Sequence, residues 1–268
     1  MEKKRVLIVT QEMKPYFIKS TIAQIARELP QHIQESGMEI RVLMPRFSII
    51  NERRHRLHEV VRLSGINITV HEEDHPLIIK VASLPGARMQ VYFLDNEDMF
   101  KRKGAFGDEQ TPFYDDNTER MIFFCKGVLE TVKKFGWPPH IIHCHGWMTS
   151  LIPYYIKTSY KNDPVFKSSK VIYSVYENTF KNKLPKSFLA KAPIKADDPA
   201  FEAFLKSDNT ALNLGGATLA DGIIVGSESI AKEVQTLISK NGKPSLKYTG
   251  EEEFLGAYEE FYGKFVKK

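Results

Sequence analysis

The sequence lacks most of the features that mark secreted, membrane-bound or nucleic-acid-binding proteins. Two cysteines in 268 residues are too few for a disulfide framework and have no paired zinc spacing, so we expect reduced thiols in a cytoplasmic protein. No apolar run approaches the length of a membrane span, and the run at 6–9 is too short for a signal peptide. The net charge is only +5, and no basic patch is interleaved with aromatic residues. We therefore expect neither nucleic acid nor a membrane as a partner.

Glycine is absent from the turn after the first predicted strand, "QEMKPYFIKS". A dinucleotide-binding fold has G-x-G-x-x-G there, because only glycine lets the pyrophosphate approach the backbone closely. The sequence therefore argues against NAD, and we expect no cofactor.

A weak nucleophile-elbow pattern occurs at "VGSESI", around Ser227, but its closing glycine is missing. We interpret Ser227 as a helix cap.

What the sequence does contain is an alternation of short apolar runs and amphipathic segments, which is typical of a doubly wound sheet. The predicted strands lie at 5–10, 39–45, 140–144, 170–175 and 222–226. The predicted helices lie at 21–36, 118–135, 149–159, 211–220 and 229–238. The fold class is therefore α/β, a single Rossmann-like domain with a parallel sheet.

Two regions interrupt this alternation. Several strand-like pieces follow one another without a helix at about 55–95, which predicts an antiparallel β insertion rather than a second domain. The lysine- and proline-containing segment 178–209 is predicted to be a long loop with one short helix.

The end of the chain, 247–268, is predicted to be an amphipathic helix. Its aromatic residues recur at helical spacing on one face. The stripe consists of Phe254, Tyr258, Phe261 and Phe265, widened by Leu255 and Tyr262. Because an isolated helix of this length is marginal in water, we expect it to dock on the domain in cis. A membrane-surface or partner-binding helix is the alternative.

The stretch "HIIHCHGWM" at 140–148 places His143 and His145 at the end of a strand, where ligands bind in such sheets. The pair could be the start of a metal site or a packed pair of strand-end histidines. No third ligand is nearby, so we expect no bound metal.

Several segments together resemble the N-terminal domain of bacterial glycogen synthases and plant starch synthases, which are ADP-glucose-dependent glucosyltransferases of the GT-B fold. The segments are "VLIVTQEMKPY", "ARELPQHIQESGMEIRVLMPRF", "VYFLDNEDMFKRKGAFGD", "YDDNTERMIFFCKGVLETVKKFGWPPHIIHCHGW" and "GGATLADGIIVGSESIAKEV". The resemblance implies a GT-B half-domain, with a glucan or ADP-glucose as the ligand.

The first loop departs from the family pattern K-T-G-G-L, whose lysine and glycines face the nucleotide sugar. This chain has "IKSTI", with Ile18 at the lysine position and Ser20 and Thr21 at the glycine positions. Lys19 lies one position later and is the candidate substitute. Without glycine, a diphosphate cannot approach the backbone as closely.

Two later motifs depart as well. The family's H-D-W-H is replaced by "HGWM", so Gly146 stands at the aspartate and Met148 at the second histidine. In the family's T-V-H-N loop, Tyr176 takes the histidine position. We therefore predict no catalytic residue. The residues expected to face a sugar or a nucleotide are Lys19, Ser20, Asp116, Asn117, His145, Trp147 and Tyr176.

Family members have a second Rossmann-like domain that holds most of the nucleotide. We expect this chain to consist of the N-terminal domain, 1–246, and the terminal helix, with the second GT-B domain absent. Two functions are then open. The chain could be a catalytically impaired glucan- or partner-binding module of storage-polysaccharide metabolism, or a glucosyltransferase half completed by a separate chain that carries the C-terminal domain.

Overall fold

The predicted alternation of strands and helices is present in the computed structural model, which describes residues 3–17 and 20–266. The strands are β1 (Arg5–Thr10), β2 (Glu39–Pro45), β3 (His58–Glu59), β4 (Ile66–Val70), β5 (Glu73–Ser83), β6 (Gln90–Asp95), β7 (Ile141–His145), β8 (Lys170–Val175), β9 (Gly222–Val225) and β10 (Ser245–Leu246). The helices are α1 (Thr21–Glu35), α2 (Glu52–His55), α3 (Glu97–Phe100), α4 (Asn117–Phe135), α5 (Leu151–Lys157), α6 (Phe188–Lys191), α7 (Phe201–Phe204), α8 (Asn209–Leu219), α9 (Lys232–Lys240) and α10 (Gly250–Gly263).

The parallel part of the sheet has a topological switch point between β1 and β7. The strand order is β10-β9-β8-β7-β1-β2-β6-β5-β3. The chain moves from β1 outward to β2 and β6, and then returns to β7 and moves the other way through β8, β9 and β10. Thr10 is in register with His145 at this point. Ligands of open α/β sheets bind outside the carboxyl ends of the strands at such a point.

The predicted antiparallel insertion is present and extends one edge of the sheet. Strand β5 pairs antiparallel with β6, β3 and β4. Alternate side chains of β5, including Leu77, Ile79 and Val81, are buried, as expected for an antiparallel strand that covers the core with one face.

Two predictions about the second half of the chain are wrong in detail. The segment 178–209 contains two short helices, α6 and α7, instead of one. The hydroxyl of Ser227 does not cap a helix, because α9 begins five residues later at Lys232. The hydroxyl accepts a hydrogen bond from the Glu177 backbone N–H at 2.8 Å and donates one to the Ser229 carbonyl at 2.9 Å, so it joins two loops.

The terminal helix α10 packs on the domain in cis, which confirms the predicted docking. Phe254, Tyr258, Phe261 and Tyr262 are buried, and Glu259 Oε2 lies 2.7 Å from His32 Nε2 on α1. The helix ends at Gly263, so Phe265 lies beyond it and Tyr262 takes its place in the buried stripe.

Candidate functional site

A cavity of about 780 Å³ lies outside the carboxyl ends of the parallel strands, where the topology predicts a ligand site. Its walls come from the segments that follow β1, β2, β6, β7 and β8. They include Glu12, Arg54, Phe106, Trp147 and Phe180. The cavity therefore collects residues from five separate parts of the sequence.

Aromatic rings form one continuous wall of this cavity. Trp147, which follows β7 and is buried, lies 5.3 Å from Phe106 and 5.2 Å from Phe180, measured between ring centroids. Phe113 stacks on Phe180 at 4.4 Å. These three phenylalanines are only partly buried, so their faces and edges are available to an apolar or amphipathic ligand surface.

Glu12 lines the cavity and is buried. The Ser20 hydroxyl donates a hydrogen bond to Oε2, and the Gln11 side-chain amide donates one to Oε1 at 2.9 Å. Burial raises the pKa of Glu12, against the opposing effect of these hydrogen bonds. Since Ser20 also caps α1 by accepting from the Ala23 N–H, the carboxyl group is held beside the N-terminus of that helix.

Basic side chains also line the cavity. Arg54 and His55 come from α2, and Lys103 comes from the loop after α3. The His55 ring lies 4.9 Å from the Tyr16 ring. Burial, and to a lesser degree the neighbouring Arg54 charge, lower the pKa of His55.

Of the residues predicted to face a ligand, Ser20 and Trp147 line the cavity. Lys19 lies outside the described residues.

Asp116 and Asn117 lie behind the loop that carries Phe106 and do not line the cavity. The Asn117 amide donates a hydrogen bond to the Phe106 carbonyl at 2.7 Å and accepts one from the buried Arg120 at 2.6 Å. Asp116 pairs with Arg102 at 2.6 Å. In this structure both residues position the loop, and a direct contact with a ligand stays a prediction.

His145 and Tyr176 belong to a buried polar chain beneath the cavity. His145 Nδ1 lies 2.7 Å from the Tyr176 hydroxyl, and its Nε2 lies 3.1 Å from His143 Nδ1. His143 continues the chain to the hydroxyls of Tyr262 at 2.6 Å and Ser174 at 2.7 Å. The contact with Tyr262 ties α10 to the sheet. A ligand-facing role for His145 and Tyr176 stays a prediction.

Both imidazoles of this chain are held neutral. Burial lowers the pKa of His145 to about 3. Burial, with a smaller contribution from the neighbouring His145, holds the pKa of His143 well below its usual range. A neutral imidazole donates through one nitrogen and accepts through the other, which suits a chain of hydroxyl partners.

The loop after β7 has no space for the aspartate of the family motif. Gly146 has φ 86° and ψ 163°, a backbone conformation that essentially only glycine adopts. A Cβ atom there would overlap the Gln11 side chain, whose Oε1 accepts a hydrogen bond from the Met148 N–H at 3.1 Å. Met148, at the family's second histidine, is fully buried.

No group of three or more His, Cys, Asp or Glu side chains is placed to hold a metal ion within residues 3–17 and 20–266. Over the same part of the chain, no helix is long and apolar enough to cross a membrane.

Comparison with known proteins identifies the family. The family model of the starch synthase catalytic domain matches residues 5–246. The chain belongs to the starch synthase catalytic domain family. It is 37% identical over 232 residues to the glycogen synthase of Chlorobium limicola, covering 86% of this chain and 47% of that protein. It is 42% identical over 182 residues to the glycogen synthase of Chlorobium luteolum, covering 68% of this chain and 37% of that protein.

A solved structure of a starch synthase has the same fold. The catalytic domain of starch synthase IV from Arabidopsis thaliana, bound to ADP and acarbose, superposes with a TM-score of 0.74 at 15% identity. The match covers 92% of this chain and 51% of that chain. The GT-B fold class is thereby confirmed, and this family member spans about half the length of the relatives it matches.

Sequence reasoning missed several residues that line the cavity of this family member. They are Glu12, Arg54, His55, Lys103, Phe113 and Phe180. A signal was available for Glu12, which directly follows a buried strand. Arg54 lies on α2 after β2, and Lys103 lies in the loop after α3, so their approach to the same cavity depends on how these two segments fold.

Proposed function

We propose that this chain is a glucan-binding domain of the glycogen and starch synthase type, and that it transfers no glucose by itself. The observation that carries the proposal is the aromatic wall of the cavity, formed by Phe106, Phe113, Trp147 and Phe180. Sugar rings present apolar C–H faces that pack on aromatic rings, while their hydroxyls bond to polar groups at the rim.

The proposed loss of transfer chemistry rests on the residues that replace the family's motifs. Family members have a polar histidine where this chain has Met148, which has neither a proton to donate nor an acceptor of comparable strength. Ser20 and Thr21 stand where the family has paired glycines, and the Ser20 side chain bonds to Glu12. A transferase must stabilise the departing diphosphate electrostatically, and these substitutions remove groups that do so.

Calorimetric titration with maltohexaose tests the binding function. We expect saturable binding, and we expect Phe180→Ala to weaken it about tenfold, because an aromatic contact contributes about 0.5–1.5 kcal/mol beyond its buried area. Phe201→Ala is the matched control, since Phe201 is also partly buried but does not line the cavity. Equal affinities of the two variants, or no binding to the unchanged protein, would contradict the proposal.

A second candidate function is favoured by the relatives themselves, which are glycogen synthases that match 86% of this chain. In this alternative the chain is a glucosyltransferase half that works with a GT-B domain on a separate chain. Glucose transfer from ADP-glucose that appears only when the C-terminal half of the Chlorobium limicola enzyme is added would support it. The glucan-binding function predicts no such gain.

A further inference from the structure

Two cations that line the cavity make no side-chain hydrogen bond or ion pair within residues 3–17 and 20–266, although the Lys103 charge acts on the nearby Asp108 carboxylate. The Arg54 guanidinium and the Lys103 ammonium make neither a hydrogen bond nor an ion pair there, and both side chains are exposed. Some neighbouring basic residues outside the lining are paired, although Arg53, next to Arg54 on α2, makes no side-chain ion pair among the described residues. Arg46 and Lys80 share Glu52, and Arg102 pairs with Asp116.

The cavity as a whole favours an anion. Glu12 is the one acidic side chain among the lining residues that the structure describes, and burial disfavours its charged form. Arg54 and Lys103 are exposed basic residues of the lining, and Asp108, the acidic neighbour of Lys103, does not line the cavity. A neutral glucan needs no such charge, whereas a phosphate group is recognised by arginine and lysine side chains through charge-assisted hydrogen bonds.

The usual anion site of this fold is already occupied by the chain itself. In parallel α/β folds, phosphate groups bind at the N-terminus of the helix that follows the first strand. Here the N-cap Ser20 accepts from the Ala23 N–H and donates to the Glu12 carboxyl group, so an acidic side chain sits where a phosphate would bind. A phosphate at that position would have to displace the Glu12 carboxyl group.

The cations and the aromatic wall belong to one continuous surface. His55, next to Arg54, contacts Tyr16, and Tyr16 is followed by Phe17, which lies 6.3 Å from Phe106. Phe106 then contacts Trp147. A ligand that contacts both the cations and the aromatic wall therefore combines an anionic group with a sugar ring.

We propose that the cavity binds a phosphorylated sugar, with its phosphate held by Arg54 and Lys103 and its ring against the aromatic wall. This inference rests on the proposed carbohydrate-binding function of the cavity. It adds the chemical class of the ligand and places the phosphate on the α2 side of the crevice, away from the N-terminus of α1.

Calorimetric titration with glucose 1-phosphate, glucose, inorganic phosphate and ADP tests the inference on the 268-residue protein. We expect glucose 1-phosphate to bind more tightly than each of the other three. Arg54→Gln and Lys103→Gln should each weaken its binding about tenfold, because each removes a charge-assisted contact. Arg53→Gln is the matched control, since Arg53 is an exposed neighbour on α2 that does not line the cavity, and it should leave the affinity unchanged.

The outcomes separate this inference from the proposed function. If maltohexaose binds but glucose 1-phosphate binds no better than glucose, the inference fails and the glucan-binding function stands. If neither binds, the proposed function fails as well. Equal effects of Arg53→Gln and Arg54→Gln would overturn the assignment of the phosphate site. Tighter binding of ADP or of inorganic phosphate than of glucose 1-phosphate would overturn the ligand class.

Discussion

At the scale of single residues, the Gln11 side chain excludes any side chain at position 146, just after β7. The Gln11 side chain fills the space that a side chain at 146 would need, and it bonds to both Met148 and Glu12. The packing of Gln11, which follows β1, therefore requires the glycine that replaces the aspartate of the family's H-D-W-H motif. Restoring the aspartate alone would produce a clash.

We predict that Gly146→Ala destabilises the protein by more than the conformational penalty of about 1–3 kcal/mol for its backbone geometry, because the new Cβ also overlaps Gln11. Adding Gln11→Ala should remove the part of the destabilisation that comes from the overlap. Urea unfolding measures the free energy of unfolding of the single and the double variant. Gly37→Ala is the control, since Gly37 also has a positive φ but nothing lies within 4 Å of its Cβ position. A loss no larger than that of the control would contradict the packing argument.

The buried histidines predict how stability depends on pH. His143 and His145 have lower pKa values in the folded protein than in the unfolded chain, where the value is about 6.5. As the pH falls from about 6.5 towards the folded values, only the unfolded state binds these protons, so stability falls by on the order of 1 kcal/mol per pH unit for each histidine.

Denaturant unfolding between pH 7 and pH 4.5 checks this dependence. We expect His145→Asn to make the fall in stability with decreasing pH shallower, whatever its effect at neutral pH. Substitution of the exposed His58 by asparagine should leave the slope unchanged. Identical slopes for the two variants would show that the buried pair does not control acid sensitivity.

At the scale of secondary-structure elements, the terminal helix α10 is an integral part of the domain. Its buried face carries Phe254, Tyr258, Phe261 and Tyr262, and the Tyr262 hydroxyl completes the polar chain through His143. Removing the helix would expose apolar surface on the sheet and leave a buried imidazole without one of its partners.

We predict that Phe254→Ala lowers the free energy of unfolding by about 3 kcal/mol or more, because it truncates a fully packed aromatic side chain. Glu253→Ala, an exposed change on the same turn, should have little effect. Thermal unfolding measures both, and hydrogen exchange should show residues 252–266 protected in the unmodified protein. Unprotected amides there would contradict a docked helix.

At the scale of the whole molecule, the switch point between β1 and β7 brings distant segments to one crevice. The crevice lies where ligands bind in the GT-B fold, and its lining includes aromatic rings and cations. Under the proposed function, binding and catalysis are separate properties of this chain. The aromatic wall would bind the glucan, whereas the residues that replace the family's motifs would not support transfer.

We predict that the purified 268-residue protein incorporates no glucose from radiolabelled ADP-glucose into glycogen above the uncatalysed background. Met148→His should not restore activity, because position 148 is fully buried and cannot reach the cavity without repacking. The glycogen synthase of Chlorobium limicola serves as the positive control. Turnover by the unmodified chain alone would disprove the loss of transfer chemistry.

The spacing of apolar residues within each segment predicted most of the strands and helices. The strands β1, β2 and β8 and the helices α1 and α4 lie within a residue of their predicted bounds, because apolar spacing and glycine stops act over a few residues. The antiparallel insertion and the terminal helix were predictable for the same reason. The family could also be predicted, since its segments are contiguous and occur in order.

Only the tertiary structure decided what surrounds each candidate residue. His145 and Tyr176 bond to each other beneath the cavity, and Ser227 joins two loops, because their partners come from strands and loops far away in the sequence. Arg54 and Lys103 line the same cavity for the same reason. Side-chain partners depend on how distant segments pack in three dimensions, and the period of a single segment carries no information about that packing.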